Sequence, residues 1–141
     1  AEVLNAVAAL HLGIEVPDSR FADFVTAGAA QLIADNACAH QFVLGPEAPA
    51  FWRGMDLAQH RVIGRVGKRY EREGIGANVL GDPRIALTWI ANELSRHGVT
   101  LAAGQIVTTG TCVVPLEILP ADEVVADFGA LGVASMRMSS T

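Results

Sequence analysis

This 141-residue chain has little cysteine or lysine, and aromatic residues make up only 6% of it. Cys38 and Cys112 are its two cysteines, and they lack CxxC spacing, which excludes a zinc motif or a disulfide framework. Their expected state is a pair of buried reduced thiols in a cytosolic protein. Lys68 is the single lysine, and the net charge is −5. Nucleic-acid binding needs a clustered basic footprint. The nearest cluster, Arg61, Arg65, Lys68, Arg69 and Arg72, is broken by Glu71 and Glu73, and it reads as a solvated hairpin. No apolar run reaches the ~18 residues of a membrane span. The first residues carry Glu2 rather than a basic stretch, so no signal peptide is expected. The 14 glycines are scattered without a period, and no internal repeat is visible. Nucleic-acid and membrane partners are therefore not expected, and the expected location is the cytoplasm.

What is present is apolar: 51% of residues are hydrophobic, and the mean hydropathy is +0.35. That excess belongs to a core or a subunit interface. Val3, Ala6, Val7 and Leu10 fall on one helical face, so a helix is expected to run from the start to about His11–Gly13. Ile14-Glu15-Val16 alternates as a strand, with Glu15 on the face opposite its neighbours. A turn at 17–19, a short helix over 28–37 and a strand over 40–45 follow. Residues 46–58, with Pro46, Pro49 and Gly54, read as a loop. Residues 60–75 read as a hairpin turning near Val66-Gly67-Lys68. The clearest helix is 83–97: Asp82 caps it, Pro83 suits its first position, Arg96 and His97 its negative end, and Gly98 stops it. Its expected buried stripe is Ile85, Ala86, Trp89, Ile90 and Leu94. Strands are then expected at 106–109, 113–119, 124–128 and 133–138, with turns at 120–122 and 129–132. The class is α+β with a mainly antiparallel or mixed β-sheet and peripheral helices.

Residue chemistry leaves alternatives open. Glu15 stands alone on an apolar strand, where an acid is costly unless exposed, paired or bound to a metal. Glu71-x-Glu73 would put two carboxylates on one face, which suits a hard cation such as Mg²⁺, but flanking arginines favour a solvated face. His11, His40, His60 and His97 have no zinc-ligand spacing. Neither a GxSxG nor a Walker pattern occurs. Thr108-Thr109-Gly110-Thr111 at a strand end would let backbone amides approach an anion, or is an ordinary threonine-rich strand end. Asp35-Asn36 closes a helix and can cap the chain locally.

Several ordered segments carry a resemblance. Residues 14–20 (IEVPDSR) resemble "ALEIVDSR". Residues 33–37 (IADNA) followed by 42–45 (FVLG) resemble "VADNASS…FVLG". Residues 76–83 (GANVLGDP) and 89–94 (WIANEL) resemble "GAAVLGNP…WLANKL". Residues 101–107 (LAAGQIV) with Thr109-Gly110-Thr111 resemble "LKAGDIVLSGS". Ala126-Asp127-Phe128-Gly129 and Leu131-Gly132 resemble the terminal "ADFG.LG" strands. In order and spacing the chain resembles the C-terminal part of the 2-keto-4-pentenoate hydratase and 4-oxalocrotonate decarboxylase family, within the fumarylacetoacetate hydrolase superfamily.

The resemblance implies a mixed β-sheet of the fumarylacetoacetate-hydrolase type with peripheral helices. It implies a divalent metal, Mg²⁺ or Mn²⁺, and lyase chemistry in aromatic-compound catabolism: hydration or decarboxylation of a 2-hydroxy-2,4-dienoate or 2-oxo acid. The metal would act as a Lewis acid toward the enolate. Glu15 matches a family metal ligand, with Asp18 as its alternate. Thr111, Asn36 and Asp35 match positions at the substrate pocket. The family's Glu-x-Glu pair and acid–base Lys lie upstream of the matched region and have no counterpart here, so no catalytic residue is assigned. Glu71-x-Glu73 matches a variable hairpin instead. Cys38-Ala39 replaces the usual Ser-Ser, and Cys112-Val113 departs from "GSLTG". Residues 1–141, opening on Ala1 rather than Met, are accordingly expected to be the C-terminal portion of a catalytic domain with its upstream part absent. A homo-oligomer is implied, with a partner enzyme of the same pathway as a further expectation. Two alternatives stand beside the lyase: a hydrolase cleaving a carbon–carbon bond of an acylpyruvate, and a non-catalytic fragment or subunit lacking part of the metal site.

Overall fold

The computed structural model describes residues 2–140. The described elements are α1 (Glu2–Asn5), β1 (His11–Val16), α2 (Ala29–Ala34), β2 (Gln41–Glu47), β3 (Arg61–Val66), β4 (Tyr70–Ile75), α3 (Pro83–Arg96), β5 (Glu123–Asp127) and β6 (Val133–Arg137). The class is α+β, as the periodicities imply. β1 and β2 pair antiparallel, with a bulge between His11 and Gly13. The second sheet has the order β4-β3-β5-β6, and each of its pairings is antiparallel. β6 packs beside β1 and β2, so the two sheets share one core. That core is Leu12, Ala48, Trp52, Leu57, Leu131 and Ala134, with Ile14, Met55 and Phe128 packed against it. Gly45 lets β2 approach closely: a Cβ there would lie 2.7 Å from the Leu12 carbonyl oxygen and 2.9 Å from the Ala134 methyl.

The first helix ends at Asn5, five residues before the periodic pattern does. Its continuation is drawn into tertiary bonds instead. Arg53 Nη2 donates to the carbonyls of Val7 and Ala8, at 2.6 and 3.1 Å, and the Ala48 amide donates to Leu10 at 2.8 Å. These bonds hold residues 7–10 out of the helix on the way into β1.

The strands expected at 106–109 and 113–119 are irregular segments. In the second of them, side chains of the β3–β4 hairpin take carbonyls in place of a ladder. Arg72 donates to Pro115 at 2.8 Å, and Arg69 Nη2 and the Tyr70 hydroxyl both donate to Glu117. Asn78 Nδ2 donates to Cys112 at 2.7 Å. The segment therefore lies across the hairpin rather than beside it, with Val113 buried and Leu116 over Gly64. The hairpin itself is salt-bridged and solvated, as its charge pattern implies: Arg61 pairs Glu73 and Arg65 pairs Glu71.

α3 starts as its sequence dictates. Asp82 Oδ1 accepts from the Arg84 amide at 2.8 Å, and the Arg84 guanidinium folds back on the same carboxylate. That guanidinium holds the Asp82 carboxyl below its ordinary range, against the opposing effect of burial. A depressed folded-state pKa stabilises above the unfolded value and ceases to do so as pH falls through the folded value. Asp82→Ala is therefore expected to lose about 1 kcal/mol near neutrality. The difference from wild type should shrink below the ordinary carboxylate pKa; urea unfolding of both proteins near neutrality and in acid checks it.

The expected buried stripe of α3 is only partly covered. Ala86 is buried, but Ile85 and Trp89 are 56% and 58% exposed. Periodicity identifies the apolar face but not whether this chain supplies its cover. Phe24, Val25, Ile33, Leu80, Ile106 and Val114 are also exposed. The total accessible surface is 9337 Å². A compact monomer of 14.8 kDa exposes about 7,000 Å². These exposed apolar side chains contribute to the excess, which has the scale of an obligate interface.

Candidate functional site

β1 presents Glu15 as the alternation requires. Leu12 and Val16 are buried, while Glu15 is exposed on the opposite face. Across the β1–β2 ladder Glu15 faces Phe42, and Gly13 faces Leu44. Directly opposed residues share a face, so one surface carries Gly13, Glu15, Phe42 and Leu44. Gly13 is needed there: a Cβ would come within 2.7 Å of the Phe42 ring. Phe42 and Leu44 are exposed apolar side chains. The Glu15 carboxylate forms no hydrogen bond or ion pair with any described residue. It is an unpaired acid set in an uncovered apolar surface.

Beyond β1 the chain is tied to the end of α2. The Asp18 amide donates to the Cys38 carbonyl at 2.9 Å. Asp35, 3% exposed, is the one buried charged side chain among the described residues. Its Oδ2 accepts from the Ser19 hydroxyl at 2.9 Å, and its Oδ1 from Arg20 Nη1 at 2.8 Å. The Arg20 amide bridges both oxygens, at 3.3 and 3.4 Å. Hydrogen bonding from the Arg20 side chain, reinforced by Ser19, holds the Asp35 carboxyl below its ordinary range despite burial. Asn36, Ala37 and Cys38 then form a left-handed turn, with φ of 51°, 53° and 55°. Such backbone costs roughly 1–2 kcal/mol per residue for L-amino acids, and strain of this kind gathers at functional sites.

Glu15, Asp18, Asp35 and Asn36 thus belong to one stitched region. Thr111 is held by other contacts. Its hydroxyl donates to the Val113 carbonyl at 2.7 Å, and Asn78 grips the neighbouring Cys112 carbonyl. Cys38 and Cys112 are both free and half-buried, and burial raises the Cys112 pKa. No group of three His, Cys, Asp or Glu side chains gathers as a metal centre among the described residues. Sequence reasoning did not single out Ser19, Arg20 or Phe42. The first two lie inside the PDSR segment and the third in FVLG, so position in a motif was the available signal.

The same architecture occurs in a known structure. A 4-oxalocrotonate decarboxylase from Pseudomonas putida G7, solved with magnesium and adipate, superposes with a TM-score of 0.86. The identity is 28%, and the match covers 97% of this chain and 51% of that one. The fold is that of the fumarylacetoacetate hydrolase superfamily. Among curated proteins, a 2-keto-4-pentenoate hydratase of Paraburkholderia xenovorans LB400 is 34% identical over 139 residues, 96% of this chain and 49% of its own. A 4-oxalocrotonate decarboxylase of Pseudomonas putida is 29% identical, over 96% of this chain and 51% of its own. No family model matches. The chain is thus homologous, over nearly all its length, to the 2-keto-4-pentenoate hydratase and 4-oxalocrotonate decarboxylase family. It spans about half the length of the curated relatives it matches. No helix among the described residues is long and apolar enough to cross a membrane.

Proposed function

We propose that this chain is the C-terminal portion of a catalytic domain and forms one side of a metal-dependent lyase site. The site would hydrate or decarboxylate a 2-hydroxy-2,4-dienoate or 2-oxo acid, in the cytoplasm and as a homo-oligomer. The observation that carries the reading is Glu15: an unpaired carboxylate on an uncovered apolar sheet face. A hard divalent ion such as Mg²⁺ or Mn²⁺ suits oxygen donors, and Mg²⁺ is commonly held by one or two carboxylates together with substrate and water. Glu15 fits that role as part of a donor set, with Asp18 as the alternate; the remaining donors lie outside the described residues. When bound, the ion supplies Lewis acidity toward the substrate's carboxylate and 2-oxo oxygens.

The chain's own residues do the rest of what can be assigned. Phe42 and Leu44 wall the face around Glu15 and exclude water from the apolar part of a dienoate. The left-handed turn presents Asn36, whose amide can both donate to and accept from a polar substrate group. Thr111 Oγ1 spends its proton on Val113 and keeps lone pairs for a substrate hydroxyl. The exposed large apolar side chains are consistent with a site completed by further polypeptide.

The test offers the full-length protein a 2-hydroxy-2,4-dienoate and an acylpyruvate, with and without a chelator. Turnover of the dienoate that chelation abolishes and Mg²⁺ restores is expected. Turnover of the acylpyruvate alone would replace the lyase reading by a carbon–carbon hydrolase. Turnover of neither would leave a non-catalytic subunit.

A further inference from the structure

The left-handed turn at Asn36–Cys38 has no glycine, and Ala37 within it has no side-chain polar group to compensate. Strain of this size persists only where the surroundings over-determine the backbone. The determining contacts converge on Asp35. Its carbonyl accepts from the Cys38 amide at 3.0 Å and from Arg20 Nη1 at 2.9 Å. The same Nη1 bonds the Asp35 carboxylate, so one donor nitrogen closes both the side-chain and main-chain arms. Ser19 and the Arg20 amide fill the remaining carboxylate positions. On the other side, the Asp18 amide is bound to the last carbonyl of the turn.

We propose that Asp35 and Arg20 form an internal latch that holds the end of β1 against the left-handed turn, and so act as positioning residues for Glu15 and Asn36. The asymmetry of exposure suits this role. The Asp35 side chain is 2% exposed and the Arg20 side chain 61%, so the arginine closes the latch from outside. The Asp35 carboxylate is almost sealed from solvent and engaged by Ser19 and Arg20, so it acts through what it holds. The kinetic arm of the test rests on the lyase reading, and the exchange arm does not.

The experiment uses Arg20→Gln and Arg20→Lys in the full-length protein. Amide hydrogen exchange is followed at Asp18, Cys38 and Ala39, and at the β3–β4 hairpin as reference. Arg20→Gln is expected to raise exchange at those three amides about tenfold and leave the hairpin unchanged. It should also lower kcat on the dienoate about tenfold with KM within about twofold, because small misplacement of reacting groups costs rate rather than binding. Arg20→Lys should recover both, since a single donor nitrogen serves both arms. Ser19→Ala, which removes one bond from Asp35 Oδ2, supplies the same readout if Arg20→Gln does not fold. Unchanged exchange in every variant would overturn the latch. Raised exchange with wild-type kcat would overturn its positioning role. A wild-type protein inactive on the dienoate would sink the lyase reading, and exchange alone would then decide the latch.

Discussion

Gly76→Ala is expected to destabilise the protein by about 3 kcal/mol or more, the upper end for a core that must accept an extra methyl. The reason is main chain against main chain. Gly76 is buried where β4 ends, and its amide donates to the His60 carbonyl at 3.0 Å. The next amide, Ala77, donates to Ala58 at 2.7 Å. These bonds draw the chain so close to residues 57–60 that a Cβ on Gly76 would overlap the Leu57 carbonyl oxygen and lie 2.8 Å from its carbon. No rotamer change relieves a clash with backbone. Relief requires breaking one of the two bonds or moving Leu57, a member of the core. For a chain of this size the melting midpoint should fall by roughly 10 °C. Thermal and urea unfolding beside Gly54→Ala, where a Cβ meets nothing within 4 Å, separate the close approach from the general cost of losing a glycine. Equal, small effects at both positions would contradict the packing.

The parts of the fold read most directly from sequence are those whose signals are local. Asp82-Pro83 and Gly98 bound α3 because cap, fixed φ and left-handed stop act within a few residues. Val66-Gly67-Lys68 sets the hairpin turn for the same reason. The misses are where distant partners decide. Residues 7–10 carry a helical pattern, but Arg53 and Ala48 claim their carbonyls. Residues 113–119 are rich in strand formers, but Arg69, Tyr70 and Arg72 take carbonyls there before a strand can. The apolar stripe of α3 is real, yet Ile85 and Trp89 on it stay exposed, because periodicity marks an apolar face without supplying a partner for it. The candidate site follows the same division. The outward face of Glu15 is a period-two consequence of β1. The role of Asp35 was not legible, because a DN pair after a helix does not disclose that Ser19 and Arg20, fifteen or so positions earlier, occupy its carboxylate.

Glu15→Gln separates function from folding most sharply. The substitution keeps volume and removes one charge. Because Glu15 is exposed and unpaired, stability should move by no more than about 0.5 kcal/mol. Under the lyase reading the same change takes an anionic donor from the metal. Residues merely bonded to metal ligands already cost roughly 10–100-fold in affinity when mutated. Loss of a ligand should therefore weaken Mn²⁺ binding about a hundredfold or more, and dienoate turnover at limiting metal by at least as much. Glu73→Gln is the matched control, since its carboxylate is committed to Arg61 at 2.6 Å, and it should leave metal binding unchanged. Asp18→Asn tests the alternate donor. If Asp18→Asn abolishes Mn²⁺ binding while Glu15→Gln preserves it, the ligand passes to Asp18, three positions along the same IEVPDSR segment. If all three variants bind Mn²⁺ as wild type does, this face of the sheet holds no metal. The unpaired carboxylate would then be an ordinary solvated acid, the reading that its spacing alone never excluded.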